Sequence, residues 1–322
     1  MRMRLEFKTI ALAAIVVTLG LPSMMACSKV AGVMAMFTFK QANQAYQSGD
    51  YTRAARLYEE TVQSDPNLVQ VYFFLGNSYD NLYKPDSDDP ANKELINKAV
   101  LNYQLAADKL TDSPEDVKLK RLALQYLSAC FAAEKLDDPV RTEPVVQRMI
   151  QLDPGEPSNY FALANIYEGA GVYDEAERIL LAAKTAKKDD PAVYMQLAGY
   201  YNRQGEFEKT IAALEERAVI DAKNPEAFFT IATYYWDEAY RDLRLNDPEK
   251  KAYVEKGLEA IERSLQIKAD YYEALIYKNL LFRLQANLEK DPAKQQALIK
   301  AADQLRDHAQ DLKAKKATGV GD

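Results

Sequence analysis

Two stretches of this chain, GVYDEAERILLAAK at 171–184 and GEFEKTIAALEERA at 205–218, carry one pattern 34 residues apart. Gly171 and Gly205 are in register, as are Tyr173 and Phe207, Ala176 and Thr210, and Leu180 and Leu214. The interval extends through Leu163, Leu197 and Ile231, and through Ala164, Ala198 and Ala232. Tyr167, Tyr201 and Tyr235 follow it, as do Tyr126, Tyr160, Tyr194 and Phe228. Upstream, VYFFLGNSY presents Tyr72, Leu75, Gly76 and Tyr79 at matching internal spacing, and SGDYTRAARLYEETVQSDP supplies Gly49, Tyr51, Ala54, Tyr58 and Pro66. A unit this short cannot bury an apolar stripe alone, so a fixed recurrence requires neighbouring units to stack.

Each row has a physical task. A small residue at Gly76, Ala164, Ala198 and Ala232 lets two helices approach closely, and the aromatic three positions later fills the space beside it. Gly49, Gly171 and Gly205 occupy turns, where the backbone takes angles that other residues resist. Strand signatures are almost absent beyond the N-terminal segment. Asp-Pro or Asn-Pro steps at 65–66, 89–90, 153–154, 190–191, 224–225, 247–248 and 291–292 punctuate the helical pattern. Several of them suit helix starts, since the acid or amide caps a free N–H and proline fills a site that has no partner for one.

These rows resemble the tetratricopeptide repeat, an antiparallel helix pair. The resemblance implies an all-α fold, a right-handed α-solenoid of stacked antiparallel helix pairs whose concave face is lined by the first helix of each pair. Six repeat-like units fill residues 28–271, phased 35–68, 69–114, 115–156, 157–190, 191–224 and 225–271. Residues 272–322 hold a degenerate seventh unit, a capping helix and a polar tail, with Lys278 and Asn279 in rows that elsewhere take a large apolar and a small residue. Two polar insertions, 83–98 and 239–256, lengthen the second and sixth units.

Residues 1–27 read as a separate segment. A basic start, MRMRLEFK, precedes an apolar run, TIALAAIVVTLGL, and PSMMAC closes it with small residues and a cysteine. That is the order of a secretory signal. Cys27 after MMA resembles the lipobox of bacterial lipoproteins, with Met24 where that family favours Leu. The resemblance implies that Cys27 is diacylated and becomes the new N-terminus; Ser28 in place of Asp then implies the outer membrane, facing the periplasm. Two alternatives stay open, an uncleaved membrane anchor and cleavage without lipidation. With Cys27 lipidated, Cys130 has no intramolecular partner, and it falls in the small-residue row, where packing is the expected role.

The net charge is −7, although the first eight residues are basic, so the body is acidic and nucleic acid is not an expected partner. The single histidine, His308, lies in a charged C-terminal stretch, which removes the usual general base and zinc ligand set. Asp86 and Asp88 begin like a calcium loop, but Pro90 stands where a third ligand belongs and no glycine follows. No glycine-rich phosphate loop occurs. The expectation is a protein with no catalytic residues, no metal and no cofactor.

The resemblance assigns a candidate peptide-binding groove: Phe39, Asn43 and Tyr46; Phe73 and Asn77, with Asp80; Phe161 and Asn165, with Glu168; Met195, Asn202 and Arg203; and Phe229 and Trp236, with Thr233. Asn43, Asn77 and Asn165 share one row. An amide both gives and accepts a hydrogen bond, which suits the peptide unit of an extended ligand, and aromatics beside it add apolar contact. Rows that hold basic residues in the carboxylate-clamping members of the family carry Phe73, Phe161 and Thr230 here, so binding of a partner's C-terminal carboxylate is not expected. The sequence therefore reads as a non-catalytic interaction scaffold of the bacterial cell envelope, binding a partner peptide or helix. A transmembrane-anchored adaptor and a cell-wall glycan-binding or processing accessory protein are the alternatives.

Overall fold

The computed structural model describes residues 21–317 apart from 86 and 88, and describes side chains from residue 32 onward. The leader call on residues 1–20 and the side chains of Cys27, Asp86 and Asp88 lie outside the described residues. The described chain is helical and without strands, and it divides into two units, the first ending at Pro154 and the second starting at Gly155.

The first unit contains α1 (Leu21–Gln47), α2 (Tyr51–Ser64), α3 (Gln70–Leu82), α4 (Pro90–Lys109), α5 (Val117–Cys130) and α6 (Pro139–Leu152). The second contains α7 (Pro157–Gly169), α8 (Tyr173–Ala186), α9 (Pro191–Arg203), α10 (Phe207–Ile220), α11 (Pro225–Arg241), α12 (Asp247–Ile267), α13 (Tyr272–Leu288) and α14 (Pro292–Ala317). Within each unit, consecutive helices pack as pairs and each pair packs on the next. Among the described residues no helix is long and apolar enough to cross a membrane.

The chain's punctuation is read out as helix ends. Asp89, Asp190 and Asn224 accept hydrogen bonds from the N–H two residues on, each with proline at the start of the helix. Asp291 does the same for Ala293. Such caps stabilise a helix by about 1 kcal/mol. Asp65 and Asp153 are different: they terminate α2 and α6, and Pro66 and Pro154 follow the stop. For α12 the cap is Asn246, one residue earlier than the Asp-Pro step, in a reciprocal box with Glu249. The dipeptide alone does not separate a start from a stop, because both place proline where no helical N–H partner is required.

Turn glycines behave as their row requires. Gly49, Gly171 and Gly205 have φ of 77°, 74° and 73°. Each closes the link between the first and second helix of a pair. The small-residue row is buried, with Ala164, Ala198 and Ala232 at 2% exposure or less, and the apolar neighbours Leu163, Leu197 and Ile231 are buried beside it. At Gly76 a β-carbon would stand 3.0 Å from Tyr103 Cδ1 and 3.2 Å from the carbonyl oxygen of Ala99, both on α4. Helices α3 and α4 therefore meet nearly backbone to side chain.

The two insertions are absorbed largely as helix. Of residues 83–98, all from Pro90 onward belong to α4, which runs for 20 residues. In the sixth unit α11 and α12 reach 17 and 21 residues, with a link at 242–246. The first pair departs from the repeat in another way. Its leading helix starts at Leu21, well before residue 35, and runs through the Cys27 position.

Gly76→Ala is expected to cost about 1–3 kcal/mol, the usual penalty for overpacking. Gly171→Ala is expected to lose less, by strain at positive φ rather than by collision. Urea midpoints followed by circular dichroism measure both; an unchanged midpoint for Gly76→Ala would contradict the close α3–α4 approach.

Candidate functional site

In the first unit, one polar chain links the leading helices. Tyr46 on α1 donates its hydroxyl to Asn77 Oδ1 on α3 at 2.6 Å. The amide nitrogen of Asn81 donates to the same oxygen at 2.8 Å, and Asn77 Nδ2 donates to the Tyr103 hydroxyl at 3.1 Å. Tyr103 in turn donates to Asp80 Oδ2 at 3.4 Å. Lys135, in the link between α5 and α6, holds the other Asp80 oxygen at 2.5 Å. Tyr46, Tyr51, Asn77, Asp80, Asn81, Tyr126 and Lys135 line a solvent-open pocket of about 340 Å³.

The aromatic packing beneath explains why these polar tips are held so closely. Phe73 lies against both Tyr103 and Tyr126, with ring centroids 5.9 and 5.8 Å away, and Tyr103 stacks on Tyr126 at 5.5 Å. Phe39 packs on Tyr58 and Phe74, and the Tyr58 hydroxyl donates to Asn43 Oδ1 at 2.7 Å. Burial, with the neighbouring Asp80 charge, drives the Tyr103 phenol far above its ordinary range, so it stays protonated and donates. Burial also pushes the Cys130 thiol up to about 12, which leaves it a neutral packing group.

The predicted residues of this unit thus have unequal freedom. Asn77 is buried, and its amide is occupied by Tyr46, Asn81 and Tyr103. Phe73 is also buried, whereas Phe39, Asn43 and Tyr46 are half-buried. Tyr51, Tyr126 and Lys135 are pocket residues that the repeat pattern did not nominate. Tyr126 follows the 34-residue interval with Tyr160 and Tyr194, which are buried, but is itself exposed and forms part of the pocket wall. Lys135 sits in a link and has no periodic signal at all.

In the second unit, α7, α9 and α11 carry the predicted side chains. Arg203 on α9 grips Glu168 on α7 with two parallel bonds, Nε to Oε1 at 2.7 Å and an Nη to Oε2 at 2.8 Å. Hydrogen bonding from Arg203, above all, lowers the Glu168 carboxyl below its ordinary range. Asn165 and Asn202 are exposed, and Phe161 is half-buried. Trp236 stacks on Tyr240, one helical turn later, with centroids 5.1 Å apart and planes 9° from parallel. It makes a T-shaped contact with Tyr277 of α13 at 5.6 Å, and Tyr277 makes another with Phe229 at 5.3 Å. Phe229, Trp236 and Tyr277 form one aromatic wall; Tyr277 falls in the Thr230 row, which the groove assignment did not include.

Met195 is engaged differently. Arg217, buried on α10, places an Nη 2.9 Å from Met195 Sδ and donates to the Thr230 hydroxyl at 3.3 Å. Its Nε is buried without a partner. A basic group therefore reaches the Thr230 position from the second helix of the preceding pair, a route that reading the leading helices alone does not reveal. Among the described residues, no three His, Cys, Asp or Glu side chains are grouped so as to hold a metal ion.

Residues 133–200 match the tetratricopeptide repeat family model. Among solved structures, the C-terminal part of a TPR repeat-containing protein from Cytophaga hutchinsonii is similar at 17% identity, covering 85% of this chain and 98% of that one, with a TM-score of 0.50. YrrB, described as a TPR protein with an unusual peptide-binding site, is 17% identical over 60% of this chain and 89% of its own, with a TM-score of 0.38. MamA is 19% identical over 56% of this chain and 95% of its own, at a TM-score of 0.39. No curated protein gives a significant sequence match.

Two measurements test the local accounts. Asn77→Ala removes the acceptor of Tyr46 and a donor to Tyr103 and is expected to cost about 1–3 kcal/mol, the range for leaving buried polar groups unpaired. A denaturation midpoint equal to wild type would show that the network carries no stability. The Glu168 carboxyl is lowered in the folded state, so its stabilisation is present above the unfolded carboxylate value of about 4 and lost as pH falls. Accordingly Glu168→Gln is expected to lower the midpoint at neutral pH and to match wild type in strong acid; a gap independent of pH would contradict the pairing. The fold, all helices stacked in antiparallel pairs, is of the tetratricopeptide-repeat type, and residues 133–200 carry that family's sequence signature.

Proposed function

We propose that this protein is a non-catalytic interaction scaffold of the bacterial cell envelope, tethered to the outer membrane by lipid on Cys27 and capturing a peptide or helix of another envelope protein. What carries the capture reading is the aromatic wall of Phe229, Trp236 and Tyr277 in the second unit, with the exposed amides Asn165 and Asn202 on the preceding leading helices. Aromatics supply large contact area at small entropic cost, and amides match the peptide bond in both directions. Phe161 and the ion-paired Arg203 are on the same set of leading helices. YrrB, a similar fold, is described by its peptide-binding site, and that description supports the choice of a peptide over other ligands by analogy only.

In the first unit, Tyr46 and Asn77 enter this reading as a preorganised polar surface rather than as free ligand groups, since their hydrogen bonds are already made. Asn43 is tied to Tyr58, and Phe39 and Phe73 support the rings around them. A second reading, recognition of a cell-wall glycan, is favoured by the pocket in which Tyr46, Tyr51 and Tyr126 surround Asn77, Asp80 and Asn81. Rings beside amides and a carboxylate suit a sugar.

A photoreactive phenylalanine at Phe161 or Trp236 in living cells is expected to trap one envelope protein. Asn165→Ala with Trp236→Ala is expected to weaken its capture by about tenfold or more, the scale of a hot-spot loss of about 1–2 kcal/mol. Unchanged capture would count against this site, and retention of peptidoglycan fragments without any peptide would select the glycan reading. For the tether, Cys27→Ser is expected to release the chain from the membrane fraction or leave an unprocessed precursor; full-length Cys27→Ser chain stably integrated in the membrane would instead favour the transmembrane-anchored adaptor.

A further inference from the structure

The middle of α1 exposes apolar side chains that no described helix of the first unit covers. Val33, Met34, Met36 and Phe37 are 71, 64, 54 and 64% exposed. The opposite side of the same helix is packed: Ala35, Ala42 and Ala45 are buried, and Phe39 and Tyr46 join the core beside α2 and α3. One turn further along, the exposed positions change chemistry to Lys40, Gln44 and Gln47. A water-facing stripe that is apolar up to Phe37 and polar from Lys40 has crossed a boundary between two surroundings. Helix length agrees: counted from position 27, the N-terminus in the lipidated reading, α1 keeps 21 residues to Gln47 against 14 in α2, so about 10 Å of it extends past an antiparallel partner of that length.

The charges say which surroundings. Between Lys8 and Asp50 the only charged residues are Lys29 and Lys40, in a chain with 48 acids. An acid-free segment carrying only cations is complementary to an anionic lipid surface. Pairing of this face with a second copy would bring like charges together. The Cys27 position is about 15 Å from Phe37 along the helix, at the usual rise per residue. That distance lies within the headgroup and upper acyl layer of a bilayer to which position 27 is fixed.

We propose that Val33, Met34, Met36 and Phe37 form a second membrane contact, an interfacial face of α1 that rests in an anionic bilayer surface, with Lys40 at the headgroups. It rests on the membrane-tethered reading in one respect, that a bilayer is present at the N-terminal end. Its consequence is orientation. A lipid chain alone is a swivel, whereas a helix face in the interface holds α1, and the unit built on it, in one attitude to the membrane.

The test uses the full chain with a photoreactive phenylalanine at Phe37 or, as a control, at Gln44, in vesicles of phosphatidylethanolamine and phosphatidylglycerol. A phospholipid adduct is expected at 37 and not at 44, with lower yield when phosphatidylcholine replaces phosphatidylglycerol. Membrane-bound chain that gives no lipid adduct at 37, gives equal adducts at both positions, or links instead to another copy or to its own residues overturns this inference and leaves the tether standing. Chain that stays out of the vesicle fraction overturns both.

Discussion

The architecture depends on how near one helix can come to the next. At Gly76 the gap admits no side chain, and the equivalent alanines at 164, 198 and 232 are buried almost completely. Close packing at these points lets the large residues beside them interdigitate, and each such buried side chain contributes about 1.5–3 kcal/mol. A repeat array has no single core, so stability is shared along nearest-neighbour contacts. Enlarging one small residue therefore loosens one joint rather than the whole.

Tyrosine is the second recurrent device. The ring fills the space beside the small residue, and the hydroxyl reaches across to the preceding pair. Tyr79 donates to Glu59 of α2, and Tyr201 donates to Glu177 of α8 at 2.8 Å. Tyr72 and Tyr194 reach the backbone carbonyls of Pro66 and Lys188 in the links before their helices. Burial raises the phenols of Tyr79 and Tyr201, so each remains protonated and able to donate. One residue type thus supplies apolar filling and a directional link, which accounts for the 21 tyrosines better than any single binding role.

The same economy divides the candidate site residues. Asn77 and Phe73 are taken up by the fold, Asn77 because Tyr46 and Tyr103 reach it, whereas Asn165, in the same row, and Asn202 remain at the surface. A preorganised network favours recognition, because little order has to be imposed when a ligand arrives.

The 34-residue rows were enough to determine the helix pairs, the close-packing residues at 76, 164, 198 and 232, and the left-handed turns at 49, 171 and 205. They are local patterns with a fixed period, and stacking identical units turns such a period directly into geometry. Only the tertiary structure decided that Asn77 is occupied while Asn165 is exposed, that Lys135 neutralises Asp80, and that Arg217 reaches Met195 and Thr230. It also decided that Asp65 and Asp153 end helices rather than begin them. These outcomes depend on which side chain from a neighbouring pair or an aperiodic link arrives at a given spot, and that is a property of distances between segments, which no one-dimensional spacing contains.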